Sequence, residues 1–190
     1  MAMLYLMRHG SSVDQKLIRG RLPGYPLSKK GADEARKAAE WLADKEVNAV
    51  YSSPLQRAFQ TAEIIAKGKK LDVKLSEQIN EWYTPRIEGK YWSQVSRKLV
   101  LTYVLMPTRA DFGAENLADV AARMSRFCRA AALRHRSVVC VSHRDCIMAC
   151  ALALTGKPLN LLNLHRAKPG SVTVLEVGEE TAKQVGYFEP

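Results

Sequence analysis

Disulfide-forming cysteine, long apolar runs and negative charge are all scarce in this chain of 190 residues. Its four cysteines, Cys128, Cys140, Cys146 and Cys150, lie in apolar or helical stretches without the paired spacing of a metal site. That argues against a disulfide-stapled secreted fold and predicts reduced core thiols in a cytoplasmic protein. The longest apolar run, Cys146 to Leu154, is too short to cross a bilayer. Met1 to Met7 is too short for a signal peptide, so no membrane partner is expected. Asp and Glu number 19 against 29 Lys and Arg, a net charge of +10. A field of that sign suits anionic partners such as phosphoesters or nucleic acid, and equally describes a solvated basic surface. Apolar residues are plentiful: at 47% hydrophobic, the chain can bury the core of one globular domain over 1–190.

The stretch Leu4-Tyr5-Leu6-Met7-Arg8-His9-Gly10 reads as a buried strand that delivers a cation and an imidazole at its C-terminal edge. Arginine offers a fork of donors for phosphate or carboxylate, and histidine serves as nucleophile or base near neutral pH. Ser11 to Tyr25 follows as a loop, in which Ser11, Ser12 and Arg21 are candidate anion donors. Ser28 caps a helix predicted to run from about Lys29 to Lys45, with Ala32, Ala35, Ala39 and Leu42 on its buried face. Val47 to Tyr51 is a second strand. In Ser52-Ser53-Pro54-Leu55-Gln56-Arg57, Ser53 reads as N-cap, Pro54 as first helical residue and Gln56 as capping-box partner, with Gly68 ending the helix. Arg57 then falls near the positive end of that helix.

Leu71 to Leu75 is a third strand, leading to Glu77, Glu81 and the aromatics Trp82, Tyr83, Tyr91 and Trp92. The irregular stretch at about 84–113, with the apolar piece Leu99 to Met106, reads as an insertion over the active edge or an association surface, such as that of a homodimer. A helix over about Glu115 to Arg134 ends near His135, which reads as a surface residue. Ser137 to Ser142 is uncharged and strand-like, so it belongs at the centre of a sheet. It too ends in a histidine, His143, followed by Arg144, Asp145 and a helix to Thr155. Val172 to Val177 and Gln184 to Phe188 close the sheet as an edge pair.

Arg8-His9-Gly10, Tyr51-Ser52-Ser53-Pro54-Leu55-Gln56-Arg57-Ala58 with Thr61-Ala62, Glu81 followed by Glu88-Gly89, and Val141-Ser142-His143 together resemble the signature of the histidine phosphatase superfamily, the phosphoglycerate mutase-like proteins. The resemblance implies a three-layer α/β/α sandwich with a mostly parallel central sheet. It also implies that His9 is the phosphorylated nucleophile, that Arg8, Arg57 and His143 grip the phosphoryl oxygens, and that Glu81 donates a proton. Ser11, Gln15, Arg21 and Arg144 complete the phosphate-binding candidates. The chain departs from the family pattern at Ser11-Ser12, where Glu-Thr is common, at Gln15 for Asn, and at Arg144 for Gly. Pro85 and Ile87 stand for Gly and Trp. Glu81-Trp82-Tyr83-Thr84 replaces the Glu-Arg-His-Tyr-Gly of the mutases, which favours phosphate release to water over transfer to a second hydroxyl.

The chemistry of phosphoryl transfer fits the same residues. Charge in phosphoryl transfer sits on three equatorial oxygens, which a preorganised cationic cradle stabilises. A metal triad of His9, His143 and Glu81 would set a dication against Arg8 and Arg57, so no metal or organic cofactor is expected. Cys128 and Arg134 have thiol-phosphatase spacing, but the residues between are helical and leave no phosphate nest. A non-catalytic phospholigand or nucleic-acid binder needs only cations, whereas this chain adds His9, His143 and Glu81. The expected partner is therefore a small phosphorylated metabolite rather than nucleic acid.

Overall fold

The computed structural model describes residues 1–14, 16–109, 111–159 and 167–190. Its centre is a six-stranded sheet in the order β3-β2-β4-β1-β5-β6. The strands are β1 (Ala2–Arg8), β2 (Ala49–Ser52), β3 (Val73–Leu75), β4 (Ser137–Ser142), β5 (Val172–Val177) and β6 (Ala182–Phe188). The first four strands run parallel; β5 lies antiparallel to β1, and β6 antiparallel to β5. The helices are α1 (Lys29–Trp41), α2 (Gln56–Lys69), α3 (Arg97–Leu105), α4 (Leu117–His135) and α5 (Arg144–Leu154).

Strand alternation sorts the core into two layers. Leu4, Leu6, Val138, Cys140 and Leu175 point into one apolar cluster with Met124 and Cys128 of α4 and Ile147 of α5. Tyr5, Met7, Val139, Val141 and Val172 point the opposite way, onto Ala38 of α1 and Ala58, Ala62 and Ile65 of α2. Both faces of β1 and β4 are covered, which explains why neither carries a charge before Arg8 at the end of β1. The arrangement is the expected three-layer sandwich.

Several local expectations are corrected. Ser28 does cap α1, accepting from the Gly31 N–H, but that helix ends at Trp41, four residues short of Lys45. Its buried positions are Gly31, Ala35 and Ala38, so Ala32 and Ala39 flank the contact instead of making it. Ser53 is not the N-cap of α2: the helix begins at Gln56, Leu55 is the cap residue, and no side chain caps it. The Ser53 hydroxyl is taken up by His143 and Asn80, which outcompete the long 3.4 Å bond from the Leu55 N–H. Gly68 lies inside α2, which ends past Lys69 with Lys70 in the left-handed region at φ 56°. Leu99 to Met106 is largely the helix α3.

Parallel β2, β4 and β1 set the site. Arg8 pairs with Ser142, and Ser52 with Val141. The His9 N–H then donates to the Ser142 carbonyl and the Ser53 N–H to that of Val141, both at 3.0 Å. The residues after three strand ends are therefore neighbours at the C-terminal edge, where open α/β sheets bind ligands.

Candidate active site

His9 is buried and its ring is held in one tautomer. Nδ1 lies 2.7 Å from the Gly10 carbonyl oxygen, which only accepts, so Nδ1 carries the hydrogen and Nε2 keeps its lone pair. Gly10 itself is fixed: its N–H donates to Thr61 Oγ1 at 3.1 Å. A Cβ at Gly10 would sit 2.2 Å from the Gly31 carbonyl oxygen, so only glycine permits this approach of β1's end to α1. The His143 ring stands edge-on to that of His9, with centroids 5.1 Å apart. Burial, followed by the nearby guanidinium groups, holds both imidazoles well below their ordinary pKa, so both are neutral near pH 7.

Two arginines flank the pair. Arg8 donates through Nη1 to the Ala167 carbonyl at 2.8 Å. Burial and then Arg144 bring its pKa down to about 10, so it stays charged. Arg57, 2% exposed, donates through Nη2 to the Gly20 carbonyl at 2.8 Å and lies 3.7 Å from Glu81 Oε2. In each, Nε is buried without a hydrogen-bond partner, as is His143 Nδ1. Such orphaned atoms are costly unless a ligand meets them.

Glu81 completes the cavity. Oε1 accepts from the Trp82 N–H at 3.0 Å and from the Cys146 thiol at 3.5 Å; Oε2 lies 3.4 Å from His143 Nδ1. Burial raises its pKa, against the opposing pull of Arg57. A carboxyl that holds its proton more tightly than a free one is better suited to general-acid work. Its main chain is clamped: the Glu81 carbonyl accepts from Arg21 Nε at 2.8 Å and Arg123 Nη2 at 3.2 Å, and both arginines pair with Glu115.

The structure thus brings Arg8, His9, Arg57, His143 and Glu81 together. Arg8, His9, Arg57 and Glu81 line one cavity with Arg144, which is forked onto Asp145 at 3.1 and 3.3 Å, while His143 sits against His9 and Glu81. Arg21 does not line the cavity; its guanidinium is spent on Glu81, Glu115 and the Tyr83 ring. Ser11 commits both its N–H and its hydroxyl to Glu34. Gln15 lies outside the described residues. Among the described residues no group of three or more His, Cys, Asp or Glu is placed to hold a metal, and no helix is long and apolar enough to cross a membrane.

A family model for the histidine phosphatase superfamily (branch 1) matches residues 4–189. The chain belongs to this superfamily. It is 34% identical over 175 residues to the Mycobacterium tuberculosis protein Rv0525, covering 82% of this chain and 80% of that one. It is 32% identical over 193 residues to phosphoserine phosphatase 1 of Hydrogenobacter thermophilus, covering 94% and 88%. Among solved structures, mycobacterial glucosyl-3-phosphoglycerate phosphatase Rv2419c with VO3 shares the fold, with a TM-score of 0.90 over 100% of both chains at 24% identity.

Against the superfamily signature, sequence reasoning passed over several residues that shape this site. Arg19 lines the cavity and donates to Ser12 Oγ, while Arg21, two positions on, turns away. Between them Gly20 has φ +47°, and a Cβ there would meet Glu88 Oε1 at 2.2 Å. No periodicity in a loop reveals which arginine faces in. Tyr103 and Asp145 are joined at 3.2 Å across α3 and α5, a contact between residues far apart in sequence. Ser53 was hidden by a helix-cap pattern it does not use.

Proposed function

We propose that this protein is a phosphomonoester phosphatase working through a phosphohistidine on His9. The observation that carries the reading is the set of orphaned buried atoms, Arg8 Nε, Arg57 Nε and His143 Nδ1, gathered around a histidine whose Nε2 lone pair is free. In this mechanism Nε2 attacks phosphorus, and the P–O bond to the alcohol breaks as the P–N bond forms. Arg8, Arg57 and His143 hold the equatorial oxygens. Glu81 gives its proton to the leaving oxygen, then takes one from the water that attacks the phosphohistidine, which returns His9 and releases inorganic phosphate.

The substrate is a small phosphorylated metabolite: the cavity encloses about 180 Å³, too little for a nucleic-acid duplex. Relatives named as phosphoserine phosphatases support the class. The chain acts as a single domain in which the segment 84–113 caps the site, contributing Thr84, Ile87, Trp92, Tyr103 and Phe112 to the cavity wall. Four buried, unpaired thiols support a cytoplasmic location. Hydrolysis is preferred to mutase chemistry because Trp82-Tyr83-Thr84 stands where mutases hold a phosphoglycerate.

The test is chemical. Brief mixing with substrate should leave an acid-labile phosphate on wild type and none on His9→Ala, which should fold normally and lose turnover. Substantial hydrolysis by folded His9→Ala would overturn the mechanism.

A further inference from the structure

Behind His143 runs a row of polar groups whose donors and acceptors can be ordered in only one direction. The Glu77 carboxylate accepts from Asn80 Nδ2 at 2.8 Å, which fixes the amide and turns Asn80 Oδ1 towards the Glu81 N–H, 2.7 Å away, and towards Ser53. An amide oxygen cannot donate, so the Ser53 hydroxyl gives its single hydrogen to Asn80 Oδ1 at 3.1 Å. With that hydrogen spent, Ser53 Oγ meets His143 Nε2, at 2.9 Å, only as an acceptor. Nε2 is therefore protonated. The lone pair of the neutral ring is left at Nδ1, which is buried, makes no hydrogen bond and faces Glu81 Oε2.

We infer that Glu77, Asn80 and Ser53 are positioning residues that fix the tautomer of His143, so that this ring grips a phosphoryl oxygen only after Nδ1 takes up a proton. A bare Nδ1 would set its lone pair against the oxyanion. A protonated Nδ1 gives a charge-assisted hydrogen bond. Two routes reach the same complex: a phosphate dianion with a proton from solvent or Glu81, or a monoanion whose own proton moves to Nδ1. The second route is open because phosphomonoesters have a second pKa of about 6. The groups facing His143 are Arg8 and His9 from the end of β1, Arg57 from α2, Glu81 from its loop and Arg123 from α4. Burial and the cations keep the free ring neutral, so the proton arrives with the ligand. The inference rests on the phosphatase reading only in taking the ligand to be a phosphoryl group.

Two measurements test it. In the free protein, two-bond nitrogen–proton NMR correlations should show His143 protonated at Nε2 in wild type and in Ser53→Thr. Ser53→Ala should populate the Nδ1–H form. Asn80→Ala should do so too, because it frees the Ser53 hydroxyl to donate to the ring. An Nε2–H ring in both Ser53→Ala and Asn80→Ala, or an Nδ1–H ring in wild type, would overturn the inference. The second measurement uses inorganic phosphate at pH 8 on a Glu81→Gln background, which removes the other proton source. Calorimetry in buffers of different ionisation enthalpy should find close to one proton taken up per phosphate bound. That uptake should drop by at least half when Ser53→Ala is added, and unchanged uptake would sink the idea. Failure of phosphate to bind at all would count against the phosphatase reading, while the NMR result decides the tautomer independently.

Discussion

The two ends of the cavity are built by different means. The end we propose for the phosphoryl group, His9, Arg8 and His143, hangs on adjacent parallel strands, and main-chain bonds at 3.0 Å tie the strand ends together. The end we propose for the leaving group, Glu81 with Thr84, Ile87, Trp92, Tyr103 and Phe112 of the wall, rides on loops, short helical turns and α3, outside the sheet. It is held instead by side chains: Arg21 and Arg123 on the Glu81 carbonyl, Glu115 between them, and Trp82 Nε1 on the Glu115 carbonyl at 2.8 Å. A sheet cannot move one strand end alone, so the first end is rigid whatever its surface residues. The second depends on a few long-range contacts, so single substitutions there can alter chemistry while oxyanion binding survives.

The sharpest separation of the ends comes from Glu81→Gln. With alkyl phosphates it should slow hydrolysis by about two to four orders of magnitude, the scale of general-acid catalysis. With p-nitrophenyl phosphate, whose leaving group needs no proton, phosphorylation of His9 should persist and give a burst of nitrophenol before slow turnover. Rapid mixing reads this, with Glu88→Gln as the control. A wild-type trace from Glu81→Gln with both substrates would place the acid elsewhere.

Arg57→Ala attacks the other end and should be indifferent to the leaving group. Loss of one preorganised charge donor costs about two to three orders of magnitude. Alkyl and aryl phosphates should suffer equally, and vanadate should bind poorly. Vanadate affinity equal to wild type would make Arg57 a structural residue that serves Gly20 and Glu81.

How much of each end was legible from sequence follows the same division. The spans of β4 and β5 agree with the sequence to the residue: β4 is an uncharged run covered on both faces, and β5 carries a single charge, Glu176, in an otherwise buried apolar run. The two histidines came with their strand ends. Ser53 was misread because a serine before proline and a helix carries the same local signal whether or not its hydroxyl caps, and its real partner, His143, is ninety positions away. At the other end the sequence offers Glu81 and an insertion at about 84–113, but none of the contacts that hold them. Arg21 was read as an anion donor since its loop holds no periodicity, and Glu115 and Arg123 passed as ordinary residues of α4 and its approach. Their roles exist only once 78–83 is folded against α4.

Glu115→Gln tests that clamp with a smaller effect. The pairing of Arg21 and Arg123 to one carboxylate is lost, and Glu81 is free to drift. Misplacement by about an ångström costs up to roughly a hundredfold, so a fall of about tenfold or more in kcat on alkyl phosphates is expected. Vanadate affinity should be kept and the effect on p-nitrophenyl phosphate should be weaker. Equal losses on both substrates would mean that the clamp supports the whole site instead of the acid.

The smallest effect concerns stability, and it should have opposite signs at the two ends. His9 and His143 have folded pKa values depressed below 6.5, so the unfolded chain binds their protons first. Their contribution is intact above pH 6.5 and is lost as pH falls, by at most about 1.4 kcal/mol per pH unit for each ring. Glu81 is raised above 4.5, so its contribution is present below that value and lost as pH rises through the folded pKa. Acidification from pH 7.5 towards 5 should therefore destabilise wild type, with Glu81 partly offsetting the histidines. Denaturant midpoints in phosphate-free buffer should fall more gently in His9→Asn, which removes one histidine, and more steeply in Glu81→Gln, which removes the offset. Wild type lies between them on this argument. If the two variants shared one slope, the paired desolvation of acid and imidazoles would not be what the fold is storing in this site.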